Sequence, residues 1–414
     1  MASTDYSLRP SRLPGVRGGT RRPFLLVATA LFVMLMGSNM ATPLYAVYRE
    51  RYGFSAVVLT LIFAIYAAVL VPSLLFFGQL SDRFGRRPVI AAGMVGGAAG
   101  LALFASADGT AWLFVARAVQ ALGTGLMTAA AAAALVELEP SGDHGRAAVA
   151  TVLGNNGGSA AGPLVAGMLA QWAPDPLALC YLAGIVCLAF ALLGVLSIRD
   201  PVTAGGRWRP QRPSVPRPVR ARFARASLTG ASVWGVGGLF LSVVPSYAAQ
   251  LLHTGDLALL GAIAGLTLGA SCVAQLVLLR GNISPRVAQP AGLMMVVAGV
   301  GLLIVAFPLG SLVCMLAAAA IAGFGNGTAL FGAQTEINLL APGERRGEVT
   351  AAFIACLYGG VAITAVGAGL LADAYGLSTA VAVIGAIVAG VATVTALWHL
   401  AARRPPLVEP RVPR

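Results

Sequence analysis

Long apolar runs alternate with short polar turns along almost the whole chain. Twelve runs begin near Pro23, Ser55, Val89, Ala111, Arg146, Leu177, Ala226, Ala258, Val287, Ser311, Glu348 and Ser378. A helix rising about 1.5 Å per residue needs about 20 apolar residues to cross a bilayer. The runs are apolar throughout and do not alternate in and out, so they read as spanning helices and not as barrel strands. Several carry Gly or Pro inside, which spanning helices tolerate. The predicted fold class is an all-α membrane protein of twelve transmembrane helices.

Shifted by 202 residues, the chain falls on itself. Pro43 and Tyr45 meet Pro245 and Tyr247, Pro88 meets Pro290, Gly123 and Gly125 meet Gly325 and Gly327, and Gly167 meets Gly369. Such a repeat predicts two pseudo-symmetric six-helix bundles, residues 23–198 and 226–402. An Arg/Pro-rich linker, 199–225, joins them, and tails 1–22 and 403–414 flank them. Parallel repeats of this kind are expected to leave a site between the halves near the membrane midplane.

Composition agrees: 58% of residues are hydrophobic and 10% are charged, which excludes an ordinary soluble domain. Charge sets orientation. All 28 basic residues are arginine. With the N-terminus in the cytoplasm, Arg49 and Arg51 fall outside, Arg117 falls in a span, and the other 25 fall inside. Both termini are therefore expected in the cytoplasm of a cell inner (plasma) membrane, and the net charge of +13 reports topology and anionic lipid, with no nucleic-acid partner. The first run is too long for a signal peptide's apolar region. Cys180, Cys187, Cys272, Cys314 and Cys356 all fall in spans and read as small packing residues. Metal spacing, a phosphate-cradling loop and a soluble enzyme domain are all missing, so no cofactor, metal or catalytic residue is expected.

The loop Gly78-Gln-Leu-Ser-Asp-Arg-Phe-Gly-Arg-Arg-Pro88 packs an acid and three arginines between two apolar runs. Gly78 is expected to let a neighbouring helix come close, Asp82 to accept backbone N–H groups or an arginine, and Arg83, Arg86 and Arg87 to hold the loop at the surface. The loop, with Gly85, resembles the G-x-x-x-D-R-x-G-R-R signature of the major facilitator superfamily. The resemblance implies a solute transporter whose loop clamps the two halves and releases during switching, with Asp82 pairing near Arg345, Arg346 and Gly347. At the same offset the second-half loop holds Ser284 and Val287 in the Asp and Gly positions, so the clamp is expected on one side only.

The fourth span carries Arg117 and Gln120 on one helix face. A charge there is costly unless it faces a cavity or a partner, or snorkels to the surface. The stretch resembles the same superfamily's R-x-x-Q-G-x-G motif, which implies proton coupling or substrate binding. In the fifth span Gly158 and Gly162 form a small-residue seam and Pro163 is expected to bend the helix. With Gly167 they resemble the G-x-x-x-G-P-x-x-G-G signature of the drug:proton antiporter branch, which implies export. Glu336 is either a buried proton carrier or an acid reaching the cytoplasmic interface. Asn39, Tyr45, Trp234 and Asn326 are candidate cavity residues, and Asp108 and Asp373 read as solvated acids at outer helix ends. Span one, read as Pro23 to Tyr48, holds no acid, which leaves the coupling route open.

The expected function is proton-coupled efflux of small, mostly apolar compounds by alternating access. The expected partners are the small-molecule substrate, protons and the lipid bilayer, with the chain a monomer. Uptake or facilitation of a nutrient, or a transport-inactive receptor, are the alternatives.

Overall fold

The computed structural model describes residues 21–200, 213–281, 283–341 and 346–402. The described residues form helices and no strand. We number the spanning rods α1 (Arg21–Tyr52), α2 (Ala56–Phe77), α3 (Arg86–Ala105), α4 (Thr110–Leu138), α5 (144–172) and α6 (Pro176–Leu196). The second set is α7 (Arg220–Ser242 and Val244–Leu252), α8 (Leu257–Arg280), α9 (Pro285–Leu309), α10 (Leu312–Leu340), α11 (Arg346–Tyr375) and α12 (Leu377–Ala401). Eleven of these start within three residues of the apolar runs. The seventh starts six residues early, at Arg220, so helix runs back into the expected linker. Its first turns carry Arg220, Arg222 and Arg225, whose polarity hid them from an apolar count.

Among the described residues ten helices are long and apolar enough to cross a membrane, and the α7 pair, bent by 48° at Val243, makes an eleventh. The remaining rod, α5, is His144–Val152, a π turn over Leu153–Gly157, and Gly158–Trp172. The irregularity expected at Pro163 thus lies earlier, and helix continues through the proline. An extra residue in one turn is a sufficient cause of such a break. In α7 the break falls just before Pro245, which then takes a first-turn position where no N–H is needed.

Two separate apolar cores form, one from Val27 to Ile198 and one from Phe223 to Ala396. Their internal packing repeats. A Cβ on Gly123 of α4 would lie 2.6 Å from the Gly93 carbonyl of α3, and one on Gly325 of α10 would lie 2.7 Å from the Gly292 carbonyl of α9. Tyr48 donates to the Phe104 carbonyl at 2.7 Å, and Tyr247 to the Leu303 carbonyl at 3.2 Å. These pairs correct the single offset. The fourth and tenth spans match at 202 residues, but the first and third spans match the seventh and ninth at 199. The match of Pro88 with Pro290 is therefore a coincidence of sequence. In packing register Gly281 stands for Asp82 and Arg286 for Arg87.

The bundles meet along two seams. In one, Gly167 of α5 lies against Leu257, Ala258 and Gly261 of α8. In the other, Gly369 of α11 lies against Ala56 and Thr60 of α2. Both seams are tight at the end of the molecule away from Arg21 and Ala401, called here the Arg-poor end. At the Arg-rich end the ion pairs among described residues, such as Arg86–Glu137 and Arg225–Glu336, each stay within one bundle.

Candidate functional site

Arg117 is the charged side chain set farthest from a helix end. It is 4% exposed. One Nη donates to the Ser38 carbonyl and to Gln120 Oε1, both at 2.8 Å. Gln120 in turn donates to the Gly37 carbonyl at 3.2 Å. The spacing of three places both side chains over one turn. Around the guanidinium stand the rings of Tyr66, Phe63 and Tyr45, with centroids at 5.0, 5.1 and 5.7 Å. Its Nε has no hydrogen-bond partner, and none of the ion pairs among described residues includes Arg117. The cation is therefore held by carbonyls and ring faces. Such contacts stabilise a desolvated guanidinium by about 2 kcal/mol or more. The side chain neither snorkels nor faces open solvent. Phe63 and Tyr66 had no signal in the sequence, since aromatic residues in an apolar run look alike whichever neighbour they face.

The loop between α2 and α3 holds a short helix, Leu80–Phe84. Arg86 donates to Asp82 at 2.5 Å, Ser81 at 2.6 Å and Glu137 at 2.8 Å. Asp200, just past α6, accepts the backbone N–H groups of Arg86 and Arg87 at 3.0 and 3.1 Å. It caps α3 from a distant part of the chain, satisfying N–H groups that a helix start leaves free. Gly85 makes room for it. The φ there is +95°, and a Cβ would fall 2.2 Å from the Asp200 carboxylate. Arg87 also donates to the Leu196 carbonyl, and Arg83 lies over the Phe84 ring at 5.3 Å. Gly78 departs from expectation. Among the described residues a Cβ there would meet only the Leu74 carbonyl of its own helix, so none of their helices uses the space it leaves. Arg345 lies outside the described residues, as does the Arg346 side chain, so the expected pairing with Asp82 falls outside them too.

The seam in α5 packs against α1. A Cβ on Gly158 would lie 2.3 Å from the Phe32 carbonyl, and one on Gly162 would lie 2.4 Å from the Met36 carbonyl. The opposite side of α5 meets α8, where a Cβ on Gly261 would lie 2.2 Å from the Pro163 carbonyl. The glycines thus let α5 touch its own bundle and the other one at backbone distance.

Glu336 is buried near the Arg-rich end of α10. It accepts from Gln289 at 2.6 Å and lies 3.7 Å from both Arg222 and Arg225. Gln289 and the two arginines at the start of α7 were not foreseen. Asn326 donates to the Val233 carbonyl at 3.0 Å and Asn39 to the Leu35 carbonyl at 3.0 Å, so both amides are used in packing. Trp234 meets Tyr358 of α11 edge-on at 4.8 Å. Tyr45 is buried beside Arg117 and Phe63. The cysteines are all free, but Cys187 and Cys356 are exposed and not packing residues. Asp373 also departs from expectation. Although exposed, it accepts the N–H groups of Ala56 and Val57, at the start of α2, at 2.8 and 3.1 Å.

Two pseudo-equivalent helical bundles, with a caged cation in one and small-residue seams between them, define a membrane transporter fold. A sequence profile described as Major Facilitator Superfamily matches residues 27–312, and the chain belongs to that family. Among curated relatives, the multidrug resistance protein MdtH of Yersinia enterocolitica (serotype O:8 / biotype 1B) is 31% identical over 150 residues. MdtH of Yersinia pestis (strain Pestoides F) is similar to the same extent. These alignments span 36% of this chain and 37% of each relative. Among solved structures, a bacterial homolog of the human lysosomal transporter Spinster, inward-facing and unoccupied, superposes with a TM-score of 0.72 at 15% identity. It covers 93% of this chain and 98% of its own. That likeness concerns the fold alone.

Proposed function

We propose that this chain exports small, mostly apolar compounds across a bacterial-type inner membrane, driven by inward proton flow. The Arg-rich end faces the cytoplasm in this reading, which follows the bias of arginine toward that side. The two bundles, residues 23–198 and 226–402, rock about a site near the midplane. Arg117 and Gln120, buried in this structure, come to face that site as the bundles rock, and the loop from Gly78 to Arg87 acts as the cytoplasmic switch. The antiporter-like seam of α5 and the relatives named for multidrug resistance support export over uptake.

The observation that carries the reading is the caged Arg117. It is a positive charge deep in a span with no carboxylate beside it among the described residues. Glu336 sits at the far end of the other bundle, already engaged by two arginines. A lipophilic cation would meet repulsion at the Arg117 site, whereas a neutral or anionic apolar compound would not. The exported class is therefore neutral or acidic.

Proton movement in inside-out vesicles tests this. An acid-inside gradient is built and compounds of each charge class are added while a pH dye is followed. Proton release is expected with neutral and anionic apolar compounds and not with cations. Release with cations alone would refute the charge class, and silence across the panel with the protein present would refute drug-type antiport.

A further inference from the structure

The two seams between the bundles carry matching caps that differ in where the acid comes from. At one seam α2 begins at Ala56. Its own N-cap is the neutral Ser55, whose hydroxyl accepts from Val58. The acid is Asp373, supplied by α11 of the other bundle. At the other seam α8 begins at Leu257. Its own N-cap is the acid Asp256, which accepts from Leu259 at 3.0 Å. The partner bundle supplies neutral Gln171, whose Oε1 accepts the Leu257 N–H at 2.8 Å. Gln171 and Asp373 are 202 residues apart, and Ser55 and Asp256 are 201 apart. The positions correspond, and the charges are exchanged.

A carboxylate at a helix start is favourable because it satisfies free N–H groups and opposes the helix dipole. Asp256 travels with α8, so separating α5 from α8 leaves that helix start its charge. Asp373 does not travel with α2. Separating α11 from α2 strips the start of α2 of its only carboxylate among these contacts. Arg49 of α1 is a positive charge near Asp373.

We propose that Asp373 is the charged latch that holds the Arg-poor end closed, and that the α5–α8 seam opposite serves as an electrostatically neutral hinge. Asp373 is a positioning residue here and touches no substrate. The assignment of this end to the outside rests on the topology proposed above. The latch itself does not, since it is defined by which bundle supplies each cap.

Distances between spin labels test it, measured without substrate or proton gradient, so a chain that transports nothing still gives an answer. In a background with the native cysteines replaced, Asp108→Cys with Leu309→Cys reads the Arg-poor end. His144→Cys with Ile283→Cys reads the Arg-rich end. In lipid nanodiscs, Asp373→Asn should raise the population separated at the Arg-poor end by about threefold, the effect of losing the negative charge at a helix start while an amide oxygen can still accept. Asp373→Glu should keep that end closed. The deciding variant combines Ser55→Asp with Asp373→Asn. It returns an acid to the start of α2 but from the same bundle, as at α8. The helix start regains its charge, yet the Arg-poor end should still separate. Parent-like distances in Asp373→Asn would overturn the proposal. So would parent-like distances in the double variant, since Asp373 would then be only a helix cap.

Discussion

The two bundles share a frame and differ in chemistry. Gly123 against Gly93 and Gly325 against Gly292 are the same backbone contact made twice. Yet the positions equivalent to Arg117 and Gln120 are Ala319 and Ala322, both buried and apolar. Glu336 has its counterpart in Ala134, and Glu137 in Leu339. The repeat therefore keeps what close packing requires, because a helix contact at backbone distance admits only glycine. It does not keep the charges, which packing does not require. A charge present in one half and absent from the other is an indication of task.

The largest expected effect tests the shared part. Gly123→Val and Gly325→Val should each cost about 3 kcal/mol, since the added atoms would press on backbone and not on a yielding side chain. Folded yield by size exclusion in mild detergent, and Tm where protein is recovered, would check this. If one half tolerates the change and the other does not, the frames are not equivalent.

Next comes the unshared part. Arg117→Ala should reduce compound-dependent proton release by about tenfold or more, the scale of losing hydrogen bonds to a charged group. Ala319→Ser, the matching position in the other bundle, should stay within about twofold. The contrast fails if both variants behave alike in the vesicle assay.

How much of this was legible depends on what each feature needs. Spans need only continuous apolar length, so eleven starts were placed within three residues. The start of α7 was not, because Arg222 and Arg225 break the apolar count while reaching Glu336 from inside a helix. Arg117 was legible because a charge in a span stands out. Its cage was not, because nothing along the chain says which aromatic faces which helix. Asp373 was misread for a related reason. A local N-cap such as Asp256 sits one residue before its helix and can be recognised by position. Asp200 and Asp373 cap helices far away in sequence and look like ordinary end charges. The offset of 202 was read from prolines and glycines together, and the contact pairs show the third spans keep 199.

A smaller effect separates the Arg-rich ends. Glu336→Gln leaves Arg222 and Arg225 without their carboxylate while preserving shape. The two pairs are long, at 3.7 Å, and Arg222 is half exposed. A loss of about 1 kcal/mol is expected, seen as a Tm lower by a few degrees. Asp82→Asn should cost less in stability than Glu336→Gln, since Arg86 keeps Glu137 and the Asp82 side chain is half exposed. A larger drop for Asp82→Asn would place the main brace of the Arg-rich end in the first bundle.

The smallest expected effect lies in the turn after α4, where Glu139 stands against Ala341 in the other half. Burial of the carboxyl pushes its pKa up. The backbone N–H of Asp143 and the hydroxyl and N–H of Ser141 outweigh that, aided by Arg146, and the pKa lies below the ordinary carboxylate value. A depressed pKa means the charged form favours the folded state. The contribution is present above the unfolded value of about 4.3 and is lost as pH falls through the folded value below it. Glu139→Gln should therefore lower stability by about 1 kcal/mol at pH 7, and the difference from the parent should close as pH is brought below about 4. Thermal unfolding of both chains across that range would show it. A gap that persists unchanged in acid would mean that Glu139 holds the turn by shape and not by charge.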